Sequence, residues 1–164
     1  MKENKEVTLS IRNAKEEDLP LVLTFIQELA DYEKLSHQVI ADIETLDYWL
    51  FQKKTAEALI LECAGQAIGF ALFFHNFSTF LGKAGIYLED LYIRPQYRNH
   101  GYGKALMLHL ASLTLDRQCG RLEWSCLDWN EPSIGFYERL GAVAQSDWTT
   151  YRLNEEALRA LVSV

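Results

Sequence analysis

From Arg98 to Lys104 the chain reads Arg-Asn-His-Gly-Tyr-Gly-Lys, two glycines one residue apart with a cation at each end. Glycine lets a backbone come close to an anion where a β-carbon would collide, and Arg98 and Lys104 flank that backbone with positive charge. Just upstream, two adjacent acids, Glu89 and Asp90, interrupt the apolar run from Tyr87 to Ile93. An acid in an otherwise apolar strand is expected to have a raised pKa, which suits Glu89 to accept a proton from an alkylammonium. The other reading of Glu89 is a surface acid on a sheet edge, or the partner of an arginine. The chemistry on offer is phosphate binding beside proton transfer.

Those residues need a strand, a loop and a helix to position them. Tyr87 to Ile93 is rich in β-branched, aromatic and Leu residues and reads as a mostly buried strand closed by Pro95. After the glycines, Leu106, Leu110 and Leu113 recur at helical spacing, with no Gly or Pro until Gly120. The first turn of such a helix carries unpartnered N–H groups and a partial positive charge, and anions dock there. A tight turn before a core helix is the alternative for Gly101 and Gly103. A Walker loop is excluded, because only Tyr102 separates Gly101 from Gly103-Lys104 and Ala105 follows. A dinucleotide fingerprint is excluded too, since Leu106 fills the third small position.

At 164 residues the chain has the length of about one domain with one substantial core. The net charge of −7 comes without any Lys/Arg cluster, which argues against nucleic acid as a partner and favours a cationic small molecule. Cys63, Cys119 and Cys126 are odd in number and form no Cys-x-x-Cys pair, so neither a disulfide framework nor a zinc site is expected. His37, His75, His100 and His109 show no ligand spacing, and no metal is expected. No apolar run has the length of a membrane span and the polar start is not a signal peptide, so no membrane partner and a cytoplasmic location are the expectations.

In chain order, Val7 to Arg12 alternates like a strand, and Glu16 to Asp18 with Pro20 opens a helix that runs to about Tyr32. A second helix is predicted from Ile43 to Gln52. Ala58 to Cys63 and Gln66 to His75 form a hairpin around Ala64-Gly65, and Asn76 to Lys83 is a turn before the central strand. Arg121 to Leu127 reads as a strand and Glu131 to Leu140 as a short helix, and Ala142 to Ala144 pairs with Thr149 to Leu153 at the end. This is a mixed α/β layout.

Arg98-x-x-Gly101-x-Gly103 after a strand resembles the pyrophosphate loop of the GNAT superfamily of N-acetyltransferases, and the element order is similar over nearly the whole chain. Gln27-Glu-Leu-Ala-Asp-Tyr-Glu33, Tyr87-Leu-Glu-Asp90 and Leu127-Asp-Trp-Asn-Glu-Pro-Ser-Ile-Gly-Phe-Tyr137 resemble the spermidine/spermine (diamine) N-acetyltransferase branch with its thialysine-acetylating members. The resemblance implies a single-domain GNAT fold over residues 1–164, with a mixed, mostly antiparallel sheet, a bulged central strand and flanking helices. It implies acetyl-CoA as cosubstrate, a small-molecule primary amine as acceptor, direct attack in a ternary complex, and a homodimer.

The resemblance also implies roles. Glu89 is the catalytic base and Tyr137 the acid that protonates the leaving thiolate, with a buried aromatic beside Phe136 as the other reading of Tyr137. Backbone groups of Leu91, Tyr92 and Ile93 would meet the pantetheine arm, with a Leu91 N–H freed by the bulge to polarise the carbonyl. Arg98, Asn99, His100, Gly101, Tyr102, Gly103 and Lys104 would hold the pyrophosphate. Asn130 is an N-cap for the short helix and also a coenzyme contact. Glu28 and Asp90, with Glu33 considered beside them, are acids for a second ammonium of a diamine. Phe77-Ser-Thr-Phe80 departs from the polyamine pattern and is closer to the thialysine branch. A non-catalytic acyl-CoA-binding module and a protein lysine acetyltransferase are the alternative functions.

Overall fold

The computed structural model describes residues 8–163, so Val7, predicted to begin the first strand, lies outside the described residues. By internal contacts the chain divides into two compact units, one ending at Ser125 and one beginning at Cys126. In the first unit, β1 (Leu9–Asn13), β2 (Glu57–Cys63), β3 (Gln66–Ser78), β4 (Lys83–Ile93) and β5 (Leu122–Trp124) form a five-stranded sheet in sequential order. Every pairing is antiparallel except β4 with β5, which is parallel. The expected mixed, mostly antiparallel sheet is what the chain forms.

Helix α1 (Leu19–Tyr32) starts as predicted with Pro20 in its first turn, where a missing N–H costs nothing. The acids before it form a separate 3-10 turn, Glu16–Asp18. Asp18 has a specific partner there, accepting from Arg12 Nη1 at 2.7 Å and Nη2 at 2.9 Å, while Arg12 Nε reaches Glu62 at 2.9 Å. Leu19, Val22 and Phe25 of α1 meet Leu50, Ala58, Ile60, Phe70 and Tyr92 in one apolar cluster. Phe25 stacks on Phe70 at 5.4 Å between ring centroids and leans on Tyr92 at 6.2 Å. Removing a fully buried phenylalanine side chain from water is worth on the order of 2–3 kcal/mol, so this ring is a main anchor of α1 on the sheet.

The predicted second helix divides into α2 (Ile43–Asp47) and a π-turn, Tyr48–Gln52. Asp42 caps α2 by accepting from the Thr45 N–H at 2.8 Å. The β2–β3 hairpin turns at Ala64 and Gly65, both with positive φ, as a two-residue hairpin loop requires. Strand β3 runs past the predicted end at His75, because Asn76, Phe77 and Ser78 continue the ladder against Gly85, Ala84 and Lys83. The predicted turn from Asn76 to Lys83 is thus confined to its middle. Gly69 is needed where β3 passes β4: a Cβ there would lie 2.4 Å from the Tyr92 carbonyl oxygen.

Helix α3 (Tyr102–Asp116) packs on β4 and β5 with Leu106 and Leu110 fully buried. Strand β5 is shorter than the predicted Arg121 to Leu127. In the second unit, α4 (Glu131–Arg139) is present as expected. The predicted closing pair of strands is not: among the described residues 142–153 hold no strand, and α5 (Glu155–Val162) follows. A short extended segment holds its shape only when a neighbour completes its ladder, and none does so among the described residues.

Candidate active site

Strand β4 carries the site, and its key feature is a register shift against β3. Leu72 pairs with Asp90 and Phe73 with Leu88, so Glu89 is an extra residue, a β-bulge in the centre of the sheet. The parallel ladder to β5 ends at Leu88, so beyond the bulge β4 has a neighbour on one side only. Arg94 donates its N–H to Ile68 O on β3. Alternation along the ladder then turns the backbone groups of Tyr92 toward β3 and those of Leu91 and Ile93 toward the open side. Of the three backbones expected to meet a pantetheine arm, Leu91 and Ile93 face the gap and Tyr92 faces its own sheet. The Ile93 carbonyl already accepts from Arg98 Nε at 2.8 Å.

The loop after β4 brings its glycines to the start of α3. Gly101 is the N-cap at φ 81°, with no atom within 4 Å of the place a Cβ would occupy, and Asn99 is left-handed at φ 65°. Ala105 is the first residue of α3 whose N–H finds a helical carbonyl, that of Gly101. The amides of Tyr102, Gly103 and Lys104 precede that ladder and are the ones a helix start offers to an anion. Asn99, His100 and Lys104 are exposed around them. Arg98 is used differently from the sequence expectation: besides its bond to Ile93, its guanidinium lies 4.6 Å from the Tyr32 ring centre and 5.6 Å from that of Tyr92. The His100 ring stacks on Tyr102 at 5.7 Å, and the Tyr102 hydroxyl lies 3.3 Å from Cys63 Sγ.

The acids divide in a way the sequence does not show. Glu89 is exposed on the bulge, while Asp90 is half-buried. The burial expected at Glu89 falls on its neighbour, because the extra residue swings one side chain outward as it turns the next one in. Burial pushes the Asp90 carboxyl up to about 7, and the nearby charges of Glu89 and Glu33 add to the rise. Glu33, just past the end of α1, is also pushed up by burial. Among the described residues no ion pair engages any of these three acids.

Glu28 is not part of that group. Its Oε1 accepts from Arg94 Nη2 at 2.9 Å and both of its oxygens accept from Arg94 Nε, so an ammonium would have to displace a guanidinium. Arg94, the partner of Glu28, is the residue beside the candidate site that reading the sequence missed. Its only signal was a cation placed directly before Pro95.

Tyr137 and Asn130 lie in the second unit. Asn130 is buried and caps α4, its side chain accepting from the Ser133 N–H at 3.4 Å, as expected for that position. Tyr137 is half-buried, 5.2 Å from Phe136 between ring centroids. Among the described residues no group of three or more His, Cys, Asp or Glu side chains is placed to hold a metal ion.

A bulged strand with one open edge, leading through a glycine loop into a helix, defines an acyl-transfer scaffold. The profile of the Acetyltransferase (GNAT) family matches residues 23–142. The chain belongs to that family and is an N-acetyltransferase. It is 37% identical over 163 residues to a thialysine N-epsilon-acetyltransferase of Bos taurus, covering 92% of this chain and 95% of that one. It is 29% identical to an L-ornithine N5-acetyltransferase of Arabidopsis thaliana, over 92% of this chain and 86% of the other. An integron cassette protein of V. cholerae of known structure superposes with a TM-score of 0.79 at 25% identity, over 95% of this chain and 98% of that one.

Proposed function

We propose that the protein transfers an acetyl group from acetyl-CoA to a primary amine of a small molecule, a diamine or polyamine or a thialysine-like amino acid. The bulge at Glu89 carries this reading, since it leaves an open-edged N–H at Leu91 next to Glu89 and Asp90, acids that no ion pair engages among the described residues. The residues fit the cosubstrate on two counts. Glycine at position 101 leaves room for a diphosphate against the α3 amides, and the open edge of β4 suits an extended arm carrying amide groups. Bound acetyl-CoA supplies a thioester carbonyl and a thiolate that can leave.

Toward that chemistry the Leu91 N–H donates to the acyl oxygen as charge develops on it. Glu89, exposed on the bulge, takes the proton that an alkylammonium must lose before its nitrogen can attack. Asp90 and Glu33 hold the ammonium by charge. Tyr137 is proposed to return a proton to the thiolate, a role resting on its motif alone. The profile match spans both compact units, which supports one catalytic domain.

A homodimer is proposed from the exposed Val143, Trp148, Tyr151 and Leu153, apolar groups that a second copy would cover. The free thiols of Cys63 and Cys119 accord with a reducing cytoplasm.

The test is a panel of diamines, polyamines, thialysine and lysine with acetyl-CoA, read by thiol release. Turnover on at least one amine is expected. Coenzyme binding without turnover on any of them would make the protein a non-catalytic binding module.

A further inference from the structure

The Arg94 guanidinium is held from several directions. Nε lies 3.2 and 3.1 Å from the two Glu28 oxygens, Nη2 lies 2.9 Å from Oε1, and Nη1 donates to Ala67 O at 3.2 Å. Its carbon sits 4.9 Å from the centre of the Phe25 ring. The two side chains are only 22% and 30% exposed. Glu28 is thus a carboxylate whose charge is already matched by Arg94. A two-pronged Arg–carboxylate pair of this kind is geometrically specific as well as strong.

Its position decides what that neutrality does. Asp90 and Tyr92 of β4 and Arg94, the residue just past its end, alternate along the chain and share the face that packs against α1, where Tyr92 meets Phe25. Strand rise separates Asp90 from Tyr92 by about 7 Å. That is comparable with the reach between the two nitrogens of a short α,ω-diamine. A free Glu28 beside Tyr92 would complete a pair of carboxylates matched to such an amine, and would repel a substrate whose far end is a carboxylate. Paired with Arg94, it does neither.

Resting on the amine-acetylating reading above, we infer that Arg94 is a specificity-determining residue that withholds Glu28 from the substrate. It turns the site from polyamines, whose far end is an ammonium alone, toward amino-acid amines, whose far end carries a carboxylate beside its ammonium. The inference concerns the choice between amines and not the transfer step, which Arg94 does not touch.

The experiment compares kcat/KM for spermidine and for thialysine, each with acetyl-CoA, in the native chain, Arg94→Met and Arg94→Met/Glu28→Gln. Exposing one carboxylate in Arg94→Met is expected to raise the spermidine-to-thialysine ratio about fivefold or more. The double variant, with neither charge, is expected to return near the native ratio. An unchanged ratio in Arg94→Met, in a protein that melts cooperatively and binds acetyl-CoA normally, overturns the inference while leaving the amine reading intact. So does a ratio that stays raised in the double variant. If Arg94→Met does not fold, Arg94→Lys is measured instead. It keeps the charge but not the two-pronged grip, and a smaller shift in the same direction is expected, with no shift overturning the inference. If no variant turns over either amine, the transfer reading fails by itself. Calorimetric binding of the same two amines then reads the ratio, and equal ratios in all variants overturn the inference as well.

Discussion

Asp90 lies opposite Leu72 in the β3–β4 ladder, and the next rung passes over Glu89 to join Phe73 with Leu88. This single skipped residue gives the two neighbouring acids different surroundings, one exposed and one half-buried. It also ends the run in which β4 is paired on both sides, since the parallel partner stops at Leu88.

If Glu89 accepts the amine's proton, Glu89→Gln lowers kcat/KM by about 10- to 100-fold at pH 7. The loss shrinks to a few-fold near pH 10, where the free amine is abundant without help. Steady-state rates across that range check this, and an equal loss at every pH would make Glu89 a substrate-positioning group.

Asp90 makes the fold's stability depend on pH. Its carboxyl holds a proton up to about 7 in the folded chain, against an ordinary value of 3.8. The folded state therefore binds more protons than the unfolded one between these values. Stability falls as pH rises through that window and is level above it. Asp90→Asn is expected to remove the fall, gaining on the order of 3 kcal/mol over the native protein at pH 8 and little at pH 4. Urea melts at the two pH values would show it, and equal gains at both would assign the effect to packing.

The pair Arg12 and Asp18 works with the opposite sign. Arg12 holds the Asp18 carboxyl below the usual carboxylate range, mainly through their hydrogen bonds. Its stabilisation is present above the ordinary pKa of aspartate and is lost as pH falls through the lowered value. Arg12→Ala leaves Asp18, with a side chain only 10% exposed, without its cation. A loss of about 2 kcal/mol at pH 7 is expected, discounted because Arg12 itself is one-third exposed, and the loss should narrow in acid. Chemical denaturation at pH 7 and pH 3 measures both.

The Tyr102 hydroxyl, 3.3 Å from Cys63 Sγ, ties the first turn of α3 to the end of β2. Tyr102→Phe removes that tie beside the amides proposed to hold the diphosphate. Acetyl-CoA affinity is expected to fall about two- to tenfold, the range of one modest hydrogen bond, with the melting temperature nearly unchanged. Isothermal titration reads the first and a thermal scan the second.

Tyr137→Phe separates the proposed acid from a packing aromatic. Turnover is expected to drop at least tenfold with acetyl-CoA affinity within about twofold of native. Calorimetry of coenzyme binding beside initial rates makes the comparison, and a matching loss of affinity would return Tyr137 to a packing role with Phe136.

The amino-acid sequence alone specifies the strand, glycine loop and helix from Tyr87 to Asp116, the hairpin at Ala64-Gly65 and the Asn130 cap, because each signal lies within a few neighbouring residues. It also carried the family, through motifs that are local in the same sense. It did not carry the closing strands predicted near Ala142 and Thr149, whose formation depends on a partner, and the acids after Asn154 that start α5 were passed over. The folded sheet was needed to see that the bulge withdraws Asp90, and not Glu89, from solvent. It likewise decided that Glu28 spends its charge on Arg94, 66 residues away. Burial and charge pairing are set by what lies across the sheet and against the helix, and spacing along one strand does not contain that.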